Sequence, residues 1–126
     1  GLAMTCTGFV SNMDEWMSAS DVLVTKAGPG TIAEAAIKGL PCMLSTYLPG
    51  QEAGNVDFVK ESGFGDYSPE PEVIASRVSE WFSDPSMLTK MRAAALAAGR
   101  PAATLDVAKD LGATALGSSS TWAASR

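Results

Sequence analysis

The stretch "DVLVTKAGPGTIAEAAIKGLPCMLS", residues 21–45, holds two short apolar runs separated by one helical pattern. Asp21–Thr25 contains a short aliphatic run with β-branched residues, which is typical of a buried parallel strand. Alanines and isoleucines over Thr31–Lys38 predict a helix that Gly39 ends. A further strand is predicted to begin at Pro41, where a strand tolerates proline. This order of elements indicates a parallel β-α-β unit.

The same alternation continues on both sides of this unit. Upstream, a strand is predicted at Met4–Val10, followed by a short helix that Asn12 caps, with Glu15 at the spacing of a capping box. Downstream, a helix is predicted over Glu52–Ser62, then a brief strand in "FGDY" and helices only. Apolar residues at three- and four-residue spacing in those helices predict core packing: Val73, Ile74, Val78, Trp81 and Phe82 in one, and Met87, Leu88, Met91 and Ala95 in the next.

Alternating strands and helices predict an α/β fold with a doubly wound parallel sheet. We expect one domain over residues 1–112 and a small, polar, disordered tail over residues 113–126. A hydrophobic content of 46% and a charged content of 18% are those of a globular protein. No apolar run approaches the roughly 18 residues that span a bilayer.

The net charge and the content of cysteine and histidine argue against several classes of function. A net charge of −5 without a basic cluster argues against a nucleic-acid partner and against a polybasic lipid anchor. Cys6 and Cys42 lie in apolar stretches and are predicted to be buried free thiols without metal-ligand spacing. The chain has no histidine, the commonest general base. If the chain belongs to an enzyme, we therefore expect it to bind substrate while another segment supplies the base. Because the chain begins at Gly1 and not at methionine, we also expect it to be a fragment.

Three turns, "GFVSN", "TKAGPGT" and "TYLPGQEAGN", are predicted at the carboxyl edge of the sheet, where such folds bind ligands. Gly28 and Gly30 let backbone N–H groups approach a ligand, and the helix starting near Thr31 presents free N–H groups and a positive dipole end. Pro29 suits that start because it has no N–H. A phosphate or pyrophosphate is the expected ligand, although tight packing alone also produces such turns. The pattern matches neither a P-loop nor a dinucleotide fingerprint.

Polar side chains accompany these turns. Glu34, one helical turn further on, can accept hydrogen bonds from a ribose or can be a solvated helix residue. Gln51, Glu52 and Asn55 suit sugar hydroxyls, and they equally suit caps and surface positions. Lys26 can neutralise a phosphate or can simply be exposed.

Together, the stretch from "GFVSNMDEW" through "KAGPGTIAEA" to "PGQEAGN" resembles the C-terminal domain of plant and algal monogalactosyldiacylglycerol synthases, which are family 28 glycosyltransferases. The resemblance runs from about residue 8 to residue 111 and is densest in the last two motifs. It implies the C-terminal half of a GT-B glycosyltransferase, in which a Rossmann-like domain holds the nucleotide sugar and the active site lies between two domains.

Site residues follow from the resemblance. The backbone of Phe9 and Val10 is implied to contact uracil, and Glu34 to hold the ribose hydroxyls. Gln51 and Glu52 are implied to face the sugar. The diphosphate is implied to lie against Gly28, Pro29, Gly30 and Thr31.

The implied reaction is inverting transfer of galactose from UDP-galactose to 1,2-diacylglycerol, without a metal or other cofactor, because backbone N–H groups and a helix dipole carry the diphosphate charge. The base and the lipid site belong to an N-terminal domain that this chain lacks, so no catalytic residue is assigned and the isolated chain is expected to be inactive. The resemblance implies a peripheral protein of the chloroplast envelope membrane.

Two other functions remain open. A related family 28 enzyme can use UDP-GlcNAc or UDP-glucose, although Gln51-Glu52 favours the galactolipid enzymes because the GlcNAc transferases carry a glutamine pair there. Alternatively, the chain is a nucleotide-sugar-binding subunit that docks onto a separately encoded half.

Overall fold

A sheet of three parallel strands lies at the centre of the computed structural model, which describes residues 2–115 and 117. Six helices accompany the strands within that part of the chain. In chain order the elements are α1 Met13–Ala19, β1 Leu23–Lys26, α2 Pro29–Ile37, β2 Cys42–Thr46, α3 Ala53–Glu61, β3 Gly65–Tyr67, α4 Pro71–Ser83, α5 Pro85–Ala98 and α6 Ala103–Ala115.

The strands lie in the order β1-β2-β3, with Leu23 beside Cys42 and Cys42 beside Gly65. Parallel neighbours need a crossover connection, and α2 and α3 supply the two crossovers. The parallel sheet predicted from the sequence is therefore confirmed, including the brief strand after Phe64.

Helices cover both faces of the sheet. Cys42 and Leu44 of β2 pack into a core with residues of α2 and α3. Met43, between them, points to the other face and packs with Trp81 of α4 and Met91 of α5. Because successive side chains of a strand point to opposite faces, one short strand supports two cores. This is the doubly wound arrangement that the sequence predicted.

The predicted strand Met4–Val10 is wrong, because the structure has no regular element there. The segment is exposed, with Phe9 fully accessible, and it pairs with no strand of the sheet. An isolated extended segment has no ladder hydrogen bonds to hold it. The prediction for Cys6 fails for the same reason, since Cys6 is exposed on this segment, whereas Cys42 is buried as expected.

The apolar stripes of α4 and α5 are narrower than predicted. Trp81 is buried and Ile74 is partly buried against the same core, but Val73 and Phe82 are 44% and 53% exposed. Each exposed residue is the immediate neighbour of a core residue and is rotated about 100° from it around the helix axis. Met87, next to the partly buried Leu88, is exposed for the same reason.

Helix α6 continues the chain without burying any of its residues. The predicted domain boundary at residue 112 falls inside this helix, which ends at Ala115. Apart from Gly117, the remainder of the predicted tail lies outside the described residues, so the division into domain and tail remains a prediction. In the described part of the chain, no helix has the length and apolarity needed to cross a membrane.

Candidate functional site

The turn between β1 and α2 leaves two backbone donors unused. Gly28 is the residue before the helix and Pro29 is its first residue. The Gly28 N–H donates to the Lys26 carbonyl at 2.8 Å, and the Ile32 N–H donates to the Gly28 carbonyl at 3.0 Å. The N–H groups of Gly30 and Thr31 have no acceptor among the described residues. They point out of the helix start, at the positive end of its dipole.

The two glycines of this turn are not required by the backbone. Gly28 has a φ of −72°, and Gly30 is not among the glycines with positive φ. A Cβ at Gly30 would meet nothing within 4 Å, and one at Gly28 would lie 3.7 Å from the Lys26 Nζ atom, an ordinary contact. Neither conformation nor internal packing therefore demands glycine at these positions. At Gly30 the missing side chain leaves open space beside the free N–H groups, whereas Gly28 is buried with the Lys26 side chain next to it.

The turn between β2 and α3 holds a buried carboxylate. The Glu52 side chain accepts from the Lys26 ammonium at 2.6 Å through Oε1 and from the Leu48 N–H at 2.8 Å through Oε2. Its side chain is 9% exposed, whereas that of Lys26 is 61% exposed. The hydrogen bond from Lys26, followed by that from Leu48, lowers the pKa of Glu52 below its ordinary value of 4.5. Glu52 is therefore ionised at neutral pH and anchors the ammonium.

A second bond joins the same two turns. The Asn55 Nδ2 atom, in the first turn of α3, donates to the Ala27 carbonyl at 2.9 Å. Together with the Lys26–Glu52 pair, it ties the β1–α2 turn to the β2–α3 turn. The two glycine-containing motifs thus form one connected edge of the sheet.

The chemistry of this edge favours an anion. The Lys26 ammonium and the Thr31 hydroxyl both lie within 4 Å of the position that a Cβ at Gly28 would take. An ammonium, a hydroxyl and free N–H groups at a helix start are the donors that bind phosphate oxygens.

Two further predicted residues are exposed at this edge. Glu34 lies four residues after Gly30 and three after Thr31, so it shares their face of α2. Its carboxylate has no hydrogen-bond or ion-pair partner among the described residues. Gln51 is also exposed, immediately before Glu52. Both side chains are accessible to a ligand lying along the turns.

Phe9 and Val10 are not brought into this edge by any hydrogen bond of the described residues. Phe9 is fully exposed, and Val10, Met13 and Trp16 line a separate shallow groove of about 330 Å³. The strand predicted to end at Val10 does not form, and the uracil contact implied for the backbone of Phe9 and Val10 remains a prediction.

The sequence also gave no indication of a larger groove of about 560 Å³ beside α2. Apolar side chains line most of it, including Ile37 and Phe58, while Pro29 and Asn55 lie at the end nearest the turn. Ile37 and Phe58 are exposed in the structure, but their exposure is not visible in the sequence pattern. Within residues 2–115 and 117, no three His, Cys, Asp or Glu side chains are grouped to hold a metal ion.

The chain is similar in sequence to one family of known proteins. The model of the glycosyltransferase family 28 C-terminal domain matches residues 1–104. Monogalactosyldiacylglycerol synthase 3, chloroplastic, of Arabidopsis thaliana is 48% identical over 105 residues, which are 82% of this chain and 23% of that protein. The probable synthase of Glycine max and the synthase of Spinacia oleracea, both named chloroplastic, are each 50% identical over 105 residues, covering 82% of this chain and 20% of those proteins. The chain therefore spans about a fifth of the length of these curated relatives.

A solved structure supports the fold. The crystal structure of the glycotransferase of kitacinnamycin superposes with a TM-score of 0.57 at 23% identity, covering 79% of this chain and 27% of that one. This likeness supports the predicted Rossmann-like fold of the observed sheet and helices. With the family model matching residues 1–104, the chain belongs to glycosyltransferase family 28, as a C-terminal domain.

Proposed function

We propose that this chain is the donor-binding part of an inverting galactosyltransferase that transfers galactose from UDP-galactose to 1,2-diacylglycerol. The names of the relatives support this substrate pair. The observation that carries the proposal is the open space at Gly30 beside the free N–H groups of Gly30 and Thr31, with the Lys26 ammonium next to Gly28.

Each part of the donor has a proposed contact. The diphosphate lies against Gly28, Pro29, Gly30 and Thr31, and Lys26 adds a positive charge to that turn. Glu34 accepts hydrogen bonds from the two ribose hydroxyls, for which its unpartnered carboxylate is suited. The exposed Gln51 faces the sugar, with Glu52 beside it, and the backbone of Phe9 and Val10 contacts the uracil.

The turn contributes to the reaction by stabilising the leaving group. In the transfer, the bond between the anomeric carbon and the UDP oxygen breaks, and UDP leaves with the electron pair. The acceptor hydroxyl oxygen bonds to the opposite face of that carbon, and its proton passes to a base. N–H donors and an ammonium fixed beside the diphosphate stabilise the charge that develops on UDP, without a metal or other cofactor.

The remaining parts of the reaction are assigned to the longer protein. We place the base and the diacylglycerol site outside this chain, so the isolated chain is expected to be inactive. Peripheral association with the chloroplast envelope membrane belongs to the same proposal, and the word "chloroplastic" in the relatives' names supports its coarser part.

Calorimetric titration of the 126-residue chain with UDP and with ADP tests the proposal. We expect UDP to bind in preference to ADP, and Glu34→Ala to weaken UDP binding at least about tenfold, since hydrogen bonds to a charged group are lost. Glu72→Ala, another exposed glutamate near a helix start, is the matched control and should bind UDP like the unmodified chain. Equal binding of UDP and ADP would contradict the proposal.

A further inference from the structure

Asn55 has a sequence position suited to a sugar contact, but its amide is used inside the protein. Its Nδ2 atom donates to the carbonyl of Ala27, 28 residues earlier in the chain, at 2.9 Å. Asn55 is half-buried and Ala27 is fully buried. No other donor of the described residues reaches that carbonyl. The side chain is therefore the single hydrogen-bond partner that this part of the structure provides for a buried backbone acceptor.

The Ala27 carbonyl controls the direction of the turn. It belongs to the same planar peptide as the Gly28 N–H, so fixing one end fixes the other. That N–H donates to the Lys26 carbonyl at 2.8 Å, and the Ala27 N–H donates to the Thr46 carbonyl at 2.8 Å. Ala27 is thus held by β2 through its N–H and by α3 through its carbonyl. The residues that follow, Gly28 to Thr31, begin from this fixed peptide.

We propose that Asn55 is a positioning residue for the donor diphosphate, which holds the Ala27 carbonyl and thereby fixes the Gly28–Thr31 turn in its binding conformation. This inference rests on the proposed function, because it assigns the diphosphate to that turn. A positioning residue and a sugar contact differ in the ligands whose affinity they change. A positioning residue changes the affinity for every ligand that carries the diphosphate, whereas a sugar contact changes only the affinity for the nucleotide sugar.

Calorimetry with UDP, UDP-galactose and uridine separates these roles. Asn55→Asp keeps the shape of the side chain but removes the Nδ2–H donor and places a carboxylate oxygen against the Ala27 carbonyl. We expect the affinities for UDP and UDP-galactose to fall by the same factor, about tenfold, while that for uridine stays unchanged. Asn55→Leu, which removes the donor without adding charge, should give the same pattern. Asn12→Asp, a matched change at the exposed start of α1, should alter none of the three affinities.

A loss confined to UDP-galactose, or no loss for any ligand, would overturn the positioning role while leaving donor binding intact. Absence of UDP binding by the unmodified chain would overturn the proposed function and the positioning role together. If neither variant folds, the side-chain amide resonance of Asn55 in the unmodified chain decides by NMR. It should move by the same amount with UDP and with UDP-galactose, and an additional shift caused by the galactose would contradict the inference.

Discussion

At the residue scale, the glycines of the chain serve different purposes. Gly39 has a φ of +66°, and an added Cβ would lie 2.9 Å from the Leu96 Cγ atom. Both the conformation and the packing therefore require glycine at the end of α2. Gly28 and Gly30 satisfy neither condition, although they belong to the most specific motif of the sequence. In the proposed function, both glycines let the diphosphate approach the backbone of the turn.

Gly28→Ala should therefore separate binding from folding. The φ of −72° suits alanine, and the nearest atoms to the new Cβ would be 3.7 Å away, so we expect an unchanged unfolding midpoint. The methyl group would occupy the space proposed for the diphosphate, and UDP affinity should fall about tenfold by calorimetry. Gly112→Ala in α6, whose added Cβ meets nothing within 4 Å, is the control. UDP affinity equal to that of the unmodified chain would contradict the proposed contact between the diphosphate and Gly28.

The Lys26–Glu52 pair should make stability depend on pH. Because the folded-state pKa of Glu52 is lowered, its pairing stabilises the fold above its ordinary pKa of 4.5 and is lost as the pH falls through the folded value. We expect Glu52→Gln to unfold at lower denaturant concentration at pH 7, and the difference to disappear in acid below pH 4.5. Urea unfolding at several pH values measures this, with the exposed Glu72→Gln as control. A difference that persists unchanged into acid would contradict the assignment.

Sequence reasoning succeeded at this scale where the information is local. The free N–H groups after Gly28 follow from the order of glycine, proline and helix. The position of Glu34 on the same face of α2 follows from helical spacing. The partners of Glu52 and Asn55 did not follow, because Lys26 and Ala27 are 26 and 28 residues away in sequence. Only the pairing of β1 with β2 brings the two turns together.

At the scale of elements, the shortest strand depends on one glycine. A Cβ at Gly65 in β3 would lie 2.0 Å from the carbonyl oxygen of Cys42 and 2.5 Å from Val59 Cγ1. The first contact is with backbone of the neighbouring strand, which cannot move without breaking the sheet.

We therefore expect Gly65→Ala to destabilise the fold by about 3 kcal/mol, at the upper end of what overpacking typically costs. Chemical denaturation followed by circular dichroism measures the change. Gly54→Ala, in the first turn of α3, is the matched control, because its Cβ would meet nothing within 4 Å. A loss below 1 kcal/mol would show that β3 is not held as closely to β2 as the structure describes.

The elements themselves were largely predictable. The periodicity and the terminating glycines found all three strands of the sheet and the helices between them, with ends shifted by a few residues. The sequence could not show that Met4–Val10 stays outside the sheet. Its composition suits a strand, but a strand also needs a neighbouring strand with which to pair. The exposure of Val73 and Phe82 was likewise invisible, since a sequence pattern does not show how wide a helix face the sheet covers.

At the scale of the whole molecule, stability resides in the sheet and the five helices that precede α6. Phe64 is fully buried and makes an edge-to-face contact with Phe58 at 5.8 Å between ring centroids, whereas Leu111 of α6 is 65% exposed. Phe64→Ala should cost about 3–5 kcal/mol of unfolding free energy, and Leu111→Ala less than about 0.5 kcal/mol. Denaturant titration of both variants checks this, and equal losses would contradict the described core.

The family could be predicted because "KAGPGTIAEA" and "PGQEAGN", in this order and spacing, resemble the motifs of family 28. The structure places both motifs on consecutive turns of one sheet edge. What the sequence did not reveal is how those turns are joined, which depends on the tertiary contacts of Lys26, Glu52, Ala27 and Asn55. The joined turns are the part of this chain on which the proposed donor site depends.

The most direct test of that site is a ¹H–¹⁵N NMR titration of the 126-residue chain with UDP. We predict that the largest shifts will be those of the Gly30 and Thr31 amides, with their protons moving downfield as they donate to phosphate oxygens, and that uridine will leave them in place. Shifts centred on the apolar groove at Ile37 and Phe58, with the Gly30 and Thr31 amides unmoved, would contradict the claim that this turn binds the diphosphate.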